Sequence, residues 1–254
     1  MLIDSHCHLD ASEFDIDRLA VIDRARAAGV GAQVIPAVDA AGWPKLRDLC
    51  HQHTDLFPAY GLHPMFLAEH RPAHVQELRH WLEREGAVAV GECGLDYFVE
   101  GLDQLTQQTY FDQQLLLARE FDLPVIVHAR RAVDAVIASF RRVGGLRGVV
   151  HSFSGSEEQA QHLWKLGFLI GLGGPVTYDR AQRLRRLVSQ MPLEYLLLET
   201  DAPDQPDAQI RGHRNEPARL ADICSTIATL RDMDISELAA TTTANAQRLF
   251  ALPT

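Results

Sequence analysis

Two rhythms alternate along the chain. Short apolar runs ending in polar, glycine or proline residues are separated by stretches in which apolar residues return every three or four positions. The apolar runs predict eight strands, at Leu2–His6, Ala32–Val38, Leu56–Leu62, Ala87–Glu92, Pro124–His128, Gly148–His151, Phe168–Leu172 and Leu196–Thr200. Val125-Ile126-Val127 and Leu196-Leu197-Leu198 are continuously apolar rather than alternating, which suits parallel strands covered on both faces. Between them, Leu220, Ile223, Cys224, Ile227 and Ala228 repeat at i, i+3, i+4, i+7 and i+8, one apolar face of a helix. Ala160, Leu163 and Trp164 do the same after Ser156, whose spacing to Gln159 is that of a capping box. Val75, Leu78 and Leu82 line another helix, and Gly29, Gly86, Gly144 and Gly167 stand where helices should stop. Strands recurring at roughly 20 to 40 residues with helices between them predict an α/β fold of the TIM (β/α)8 barrel class. The expectation is one domain over residues 1–254, with an extra C-terminal helix from about Ile235 to Phe250.

Composition narrows the class. The 254 residues are 46% hydrophobic and 23% charged, the balance of a globular chain with a sizeable core. No apolar run approaches the roughly 20 residues that cross a membrane, and the start Met1-Leu2-Ile3-Asp4-Ser5-His6 lacks a basic, then apolar, leader. A cytoplasmic location is therefore expected, without a membrane partner or an obligate protein partner. Cys7, Cys50, Cys93 and Cys224 lie far apart, so packed thiols are expected rather than a disulfide framework. The net charge of −10 argues against a protein that coats long nucleic acid through a basic face. It leaves room for an enzyme that meets one phosphate at a time.

The ionisable residues of interest fall at the carboxyl ends of the predicted strands, the catalytic rim of such a barrel. His6 and His8, two apart at the end of the first strand, should present both imidazoles on one side. His51 and His53 have the same spacing but follow the helical segment Lys45–Leu49, where residues two apart do not face each other. They are expected at the solvated surface. Glu92 ends the fourth strand, His128 the fifth and His151 the sixth, while Asp201 follows the eighth and His63 the third. Crowded histidines and carboxylates are costly without a cation. His6, His8, Glu92, His128, His151 and Asp201 are therefore candidate metal ligands. Imidazole and carboxylate without thiolate suit Zn, Mn, Fe, Co or Ni, with Mg at a carboxylate-rich position. Six ligands fit two divalent ions better than one, with a carboxylate such as Glu92 shared between them.

The runs DSHCHLD, GLHP, GECGLDY, PVIVHAR, GVVHSFSG, ETDAPD and RNEP, spread over almost the whole chain, resemble the TatD family of metal-dependent hydrolases. The resemblance implies His6 and His8 on one metal, His128 and His151 on a second, and Glu92 bridging them. It implies that Asp201 contacts a metal and the nucleophilic water, and that His63 serves the substrate. Family members include 3′→5′ deoxyribonucleases, so DNA or a small phosphodiester bound locally at the metals is the expected substrate. A hydroxide bridged by two metals would attack phosphorus, with Asp201 and Glu92 as the catalytic carboxylates. Arg130 and Arg214, in loops after ligand-bearing strands, are candidate phosphate contacts. Two departures stand out: Met65-Phe66 after GLHP, where many members carry a polar residue, and GECGLD for the commoner GEIGLD. The nearest alternative is hydrolysis of a small amide, lactone or phosphoester by the same metals, since fold alone does not select the chemistry. A non-catalytic metal-binding scaffold is the other alternative.

Overall fold

The computed structural model describes residues 1–253. Eight strands alternate with helices: β1 (Leu2–Asp4), α1 (Arg18–Ala27), β2 (Val30–Pro36), α2 (Trp43–Gln52), β3 (Leu56–Tyr60), α3 (Ala73–Arg84), β4 (Ala89–Asp96), α4 (Gln104–Glu120), β5 (Val125–Arg130), α5 (Val133–Val143), β6 (Gly148–Val150), α6 (Glu157–Lys165), β7 (Phe168–Leu172), α7 (Gln182–Gln190), β8 (Leu196–Leu198), α8 (Leu220–Arg231) and α9 (Ile235–Phe250). This is the (β/α)8 barrel class the sequence predicts, and α9 is the extra C-terminal helix. The chain divides into two compact units, one of Met1–Ile35 with the segment from Ile170 onward, the other Pro36–Leu169.

In the first unit β1 pairs with β2 and β7 with β8, all parallel. The Ser5 N–H donates to Leu198 O at 3.0 Å, which sets β8 beside β1. Helix α8 buries Leu220, Ile223, Cys224, Ile227 and Ala228, the stripe read from the sequence. Helix α9 buries Leu238, Ala246, Leu249 and Phe250. Its buried Asn245 amide donates to Leu193 O and Leu196 O, tying the helix to the start of β8.

In the second unit β3, β4, β5 and β6 pair in that order, again parallel. Trp43 meets Tyr60 and Trp81 edge to face, and Tyr60 and Trp81 pack against each other at a tilt. Phe140 packs between Phe111 and Phe168. Ser156 and Gln159 form the predicted capping box at α6. Gly94, at φ +142°, is required where β4 presses on β5: a Cβ there would lie 2.1 Å from His128 O.

Several boundaries differ from the predicted ones. Strand β1 ends at Asp4 and β8 at Leu198, so His6, His8 and Asp201 lie in the segments beyond them. Those segments still hold one another by backbone hydrogen bonds, His8 N–H to Ala202 O and Asp201 N–H to His6 O. Conversely, β4 runs on to Asp96 and β5 to Arg130, because the pairing continues through Gly94–His128 and Asp96–Arg130. All four cysteines are buried outside any disulfide. No helix among the described residues is long and apolar enough to cross a membrane.

Candidate metal centre

In the second unit, three imidazoles from three strand ends converge on one carboxylate oxygen. Glu92 projects from β4 and is buried, and its Oε1 lies 2.9 Å from His63 Nε2, 3.2 Å from His128 Nδ1 and 2.8 Å from His151 Nε2. His151 Nε2 and His128 Nδ1 are 3.4 Å apart. His63, Glu92 and His128 offer ligand atoms close enough together to share one ion.

Asp96 fixes which nitrogen of His128 faces this cluster. Its Oδ2 lies 2.8 Å from His128 Nε2, while its Oδ1 accepts from the N–H groups of Phe98 and Val99. The side chain of Gln107 bonds both the N–H and the C=O of Asp96, at 2.7 and 2.9 Å. A carboxylate on Nε2 holds the proton there and leaves the Nδ1 lone pair facing Glu92. Burial alone would raise the Asp96 pKa, but the bonds from His128, Val99 and Phe98 outweigh it and bring it down to about 2. Burial likewise pulls His128 down, yet Asp96 and Glu92 outweigh that and raise it.

The first unit holds a second donor set. His6 Nε2 and His8 Nε2 are 3.2 Å apart, and Asp201 Oδ1 lies 3.4 and 3.6 Å from them. The amide of Gln205 donates to the other Asp201 oxygen. Behind this set stands Asp4, fully buried, accepting from the N–H groups of His6 and Thr200 and from the Thr200 hydroxyl at 2.6 Å. Burial raises Asp4 to about 7 against these hydrogen bonds, and the negative charge of Asp201 adds to the rise. Buried Glu199 sits against Gly171, where a Cβ would come within 2.0 Å of Glu199 Oε2.

The donors in both sets are imidazole nitrogen and carboxylate oxygen with no thiolate, a set that fits a divalent ion such as Zn or Mn. Cys7 and Cys93 point elsewhere, the first to Gln33 Oε1 and the second to Ile126 O. Sequence reasoning names the histidines and Glu92 but misses Asp96, Asp4 and Glu199. A signal for Asp96 is present: it ends the run GECGLD four residues after Glu92, the same-face spacing of a strand that continues.

The substrate-side candidates fare differently. His63 joins the Glu92 cluster, and its carbonyl contacts His70 Nε2 at 2.8 Å. Arg130 is exposed, with its guanidinium 3.7 Å from the centre of the Phe98 ring. Arg214 is engaged in the first unit, paired with both oxygens of Asp17 at 2.8 and 2.7 Å and donating to Glu13 O. His51 lies exposed near the end of α2, as expected, whereas His53 follows the helix in extended backbone and is half-buried.

The model of the family described as TatD related DNase matches residues 3–251. The metal-dependent hydrolase YjjV of Escherichia coli (strain K12) is 41% identical over 254 residues, covering 99% of this chain and 98% of that protein. The 3'-5' ssDNA/RNA exonuclease TatD of Erwinia tasmaniensis is 36% identical over 259 residues, covering 99% of this chain and 100% of that one. The crystal structure of Escherichia coli YjjV superposes with a TM-score of 0.95 at 39% identity, over 99% of this chain and 98% of that one. With the fold, the imidazole–carboxylate donor sets and these matches in agreement, the chain belongs to the TatD family of metal-dependent hydrolases.

Proposed function

We propose that the protein hydrolyses phosphodiester bonds of DNA from the 3′ end, using two divalent ions held by His6, His8, Glu92, His128, His151 and Asp201. The observation that carries the reading is the convergence of three imidazoles on Glu92 Oε1 with the His128 tautomer fixed by Asp96. A relative named as a 3'-5' ssDNA/RNA exonuclease supports the substrate class. When bound, the ions supply Lewis acidity and lower the pKa of water toward neutrality. The rest is the work of side chains. Glu92 and Asp201 supply the negative charge that balances the cations. Gln205 orients Asp201, whose carboxylate aims the attacking water and accepts its proton. His63 lies beside Glu92 and binds the substrate phosphate. Arg130 is a further phosphate contact, whereas Arg214 reaches one only by leaving Asp17.

The test is Asp201→Asn assayed on end-labelled single-stranded DNA. Turnover falls about 100- to 10,000-fold, the range expected when a general base is removed, while circular dichroism stays unchanged. Full activity in that variant overturns the role of Asp201. A wild-type protein that cleaves a lactone or amide panel but no phosphodiester overturns the substrate class. Metal content also falls as the solution is taken from about pH 7.5 to about pH 5, because each ligating imidazole must give up its proton.

A further inference from the structure

We propose that Arg130 and Arg131, packed on Phe98, form a clamp for the phosphate backbone of a nucleic-acid strand. The proposal rests on the phosphodiester reading above and adds a binding element outside the metal ligands. Arg130 lies two residues beyond His128 in β5, so its side chain leaves the strand on the same face as the His128 imidazole. Phe98 lies two residues beyond Asp96, its N–H bonded to Asp96 Oδ1. The Tyr97 N–H donates to Arg130 O and Asp96 is in register with Arg130, which fixes the two segments against each other.

Consecutive strand residues point to opposite faces, so Arg131 should diverge from Arg130. It does not. Arg131 has φ +54°, in the left-handed region that side-chain-bearing residues seldom occupy. Both guanidiniums then meet one ring, their central carbons 3.7 and 4.6 Å from its centroid. Phe98 remains 43% exposed, so the ring and the two guanidiniums stacked on it stand open to solvent.

Among the described residues, neither guanidinium meets a carboxylate. Elsewhere in the same unit Arg142 pairs with Asp112, Arg147 with Asp122 and Arg79 with Glu120, while Arg84 stands alone among the described residues at the end of a helix. What sets Arg130 and Arg131 apart is that two guanidiniums converge on one ring. Glu100 and Asp134 are close in sequence yet pair with neither Arg130 nor Arg131 among the described residues. In a chain of net charge −10, two converging cations without a counter-charge are a place for an external anion. The planar fork of a guanidinium matches phosphate oxygens. A strand running from the metal cluster past β5 would offer its next phosphates to both.

The experiment is equilibrium binding of a 5′-fluorescein-labelled, phosphorothioate-linked oligothymidylate to the full-length metal-loaded protein, by anisotropy across a salt series. Arg130→Ala and Arg131→Ala each weaken binding about 5- to 20-fold. Each also lowers the slope of log affinity against log salt by roughly 0.7, the value for one phosphate contact on a single strand. Phe98→Ala weakens binding about 3- to 10-fold with the salt slope unchanged, since both charges remain, and Phe98→Tyr restores it. Arg84→Ala, which removes an exposed arginine at the end of α3, leaves binding within twofold.

Absence of binding by wild type overturns the clamp, as does a double arginine variant that binds within twofold of wild type. Equal losses for Arg84→Ala and Arg131→Ala reduce the effect to net charge and overturn it too. Displacement of the oligonucleotide by inorganic phosphate at equal concentration overturns the strand assignment in favour of a free phosphate. The two readings fail separately. Arginine-dependent binding without cleavage of ordinary DNA removes the hydrolytic reading and keeps the clamp; cleavage with unchanged binding in the double variant does the reverse.

Discussion

Asp4 and Asp96 hold equivalent posts in the two units and titrate in opposite directions. Each is an aspartate with almost no exposed surface, at the end of the strand preceding or bearing a donor set, and each accepts two backbone N–H bonds. Yet Asp4 is raised to about 7 and Asp96 is lowered to about 2. Burial pushes both upward, and harder at Asp4, which lies deeper among protein atoms than Asp96. The third partner widens the difference. Asp4 meets the neutral hydroxyl of Thr200 and feels the negative charge of Asp201, whereas Asp96 meets an imidazole that can carry the positive charge. A buried acid is held ionised by a neighbour that can become a cation, added to the hydrogen bonds it accepts, and tends to neutrality where burial outweighs those bonds.

The largest expected effect comes from making the same substitution at both posts. In Asp96→Asn the amide oxygen must stay where Phe98 and Val99 donate, at the Oδ1 position. The NH2 group then faces His128 Nε2, two donors meet, and the ring must move its proton to Nδ1, the atom turned toward Glu92. Metal affinity at this cluster should fall by about 10- to 100-fold, the usual range for loss of a partner that orients a ligand. Asp4→Asn keeps its oxygen for the His6 and Thr200 N–H groups, and its amide can donate to the Thr200 hydroxyl instead. Affinity there should change less than about threefold, well under the roughly 1.4 kcal/mol of a tenfold change. Competition against a chromophoric chelator measures both. Equal losses at the two positions would show that loss of charge, not the tautomer, governs the effect.

The same residues show how far the sequence speaks for itself. Strand and helix order is legible because continuous apolar runs and helical stripes report burial, and burial is what the fold organises. Leu220 to Ala228 is one such stripe, and it faces the core. The histidines and Glu92 are legible because several of them at strand ends are hard to reconcile with packing alone. The convergence of three imidazoles on one oxygen is not, since it depends on β4 continuing past Glu92 through Gly94, against His128 O. The pull of Asp17 on Arg214 is likewise hidden, because it joins residues 197 positions apart. Arg131 escapes a sequence reading because strand alternation turns it away from Arg130, and only its left-handed backbone brings it back.

A smaller effect probes the Asp4 post by itself. Thr200→Val removes the hydroxyl that donates to Asp4 Oδ2 and accepts from the Ala202 N–H, with almost no change of volume. One buried carboxylate oxygen then lacks a donor, at a cost of about 1–3 kcal/mol. Thermal unfolding should report a fall of roughly 2–4 °C for each kcal/mol in a chain of this size. Combining Thr200→Val with Asp4→Asn should recover part of the loss, because a neutral amide is cheaper to leave short of a partner than a carboxyl group that can ionise. Additive losses in the double variant would mean that Thr200 acts through Ala202 alone.

The smallest effect extends the rule to a base. His70 is buried and its Nε2 bonds the neutral carbonyl of His63. Burial lowers its pKa, helped by His74, and outweighs the opposing pull of the His63 carbonyl and of Asp39 and Glu69. It is the counterpart of Asp4: burial prevails because the nearest hydrogen-bond partner is neutral. With the folded pKa below the ordinary value of about 6.5, the unfolded chain takes up the proton first. The stability linked to His70 is therefore present above that value and is lost as the pH falls below it, at no more than about 1.4 kcal/mol per pH unit. His70→Gln places an amide N–H where Nε2 donates to His63 O and cannot titrate. Urea midpoints of wild type and variant, compared at about pH 7.5 and about pH 5.5 in the presence of chelator, should draw together or cross as the pH falls, with the variant losing less. Parallel loss in the two proteins would mean that His70 takes up its proton over the same pH range in the folded and the unfolded chain, and that the neutral-partner rule does not extend from Asp4 to an imidazole.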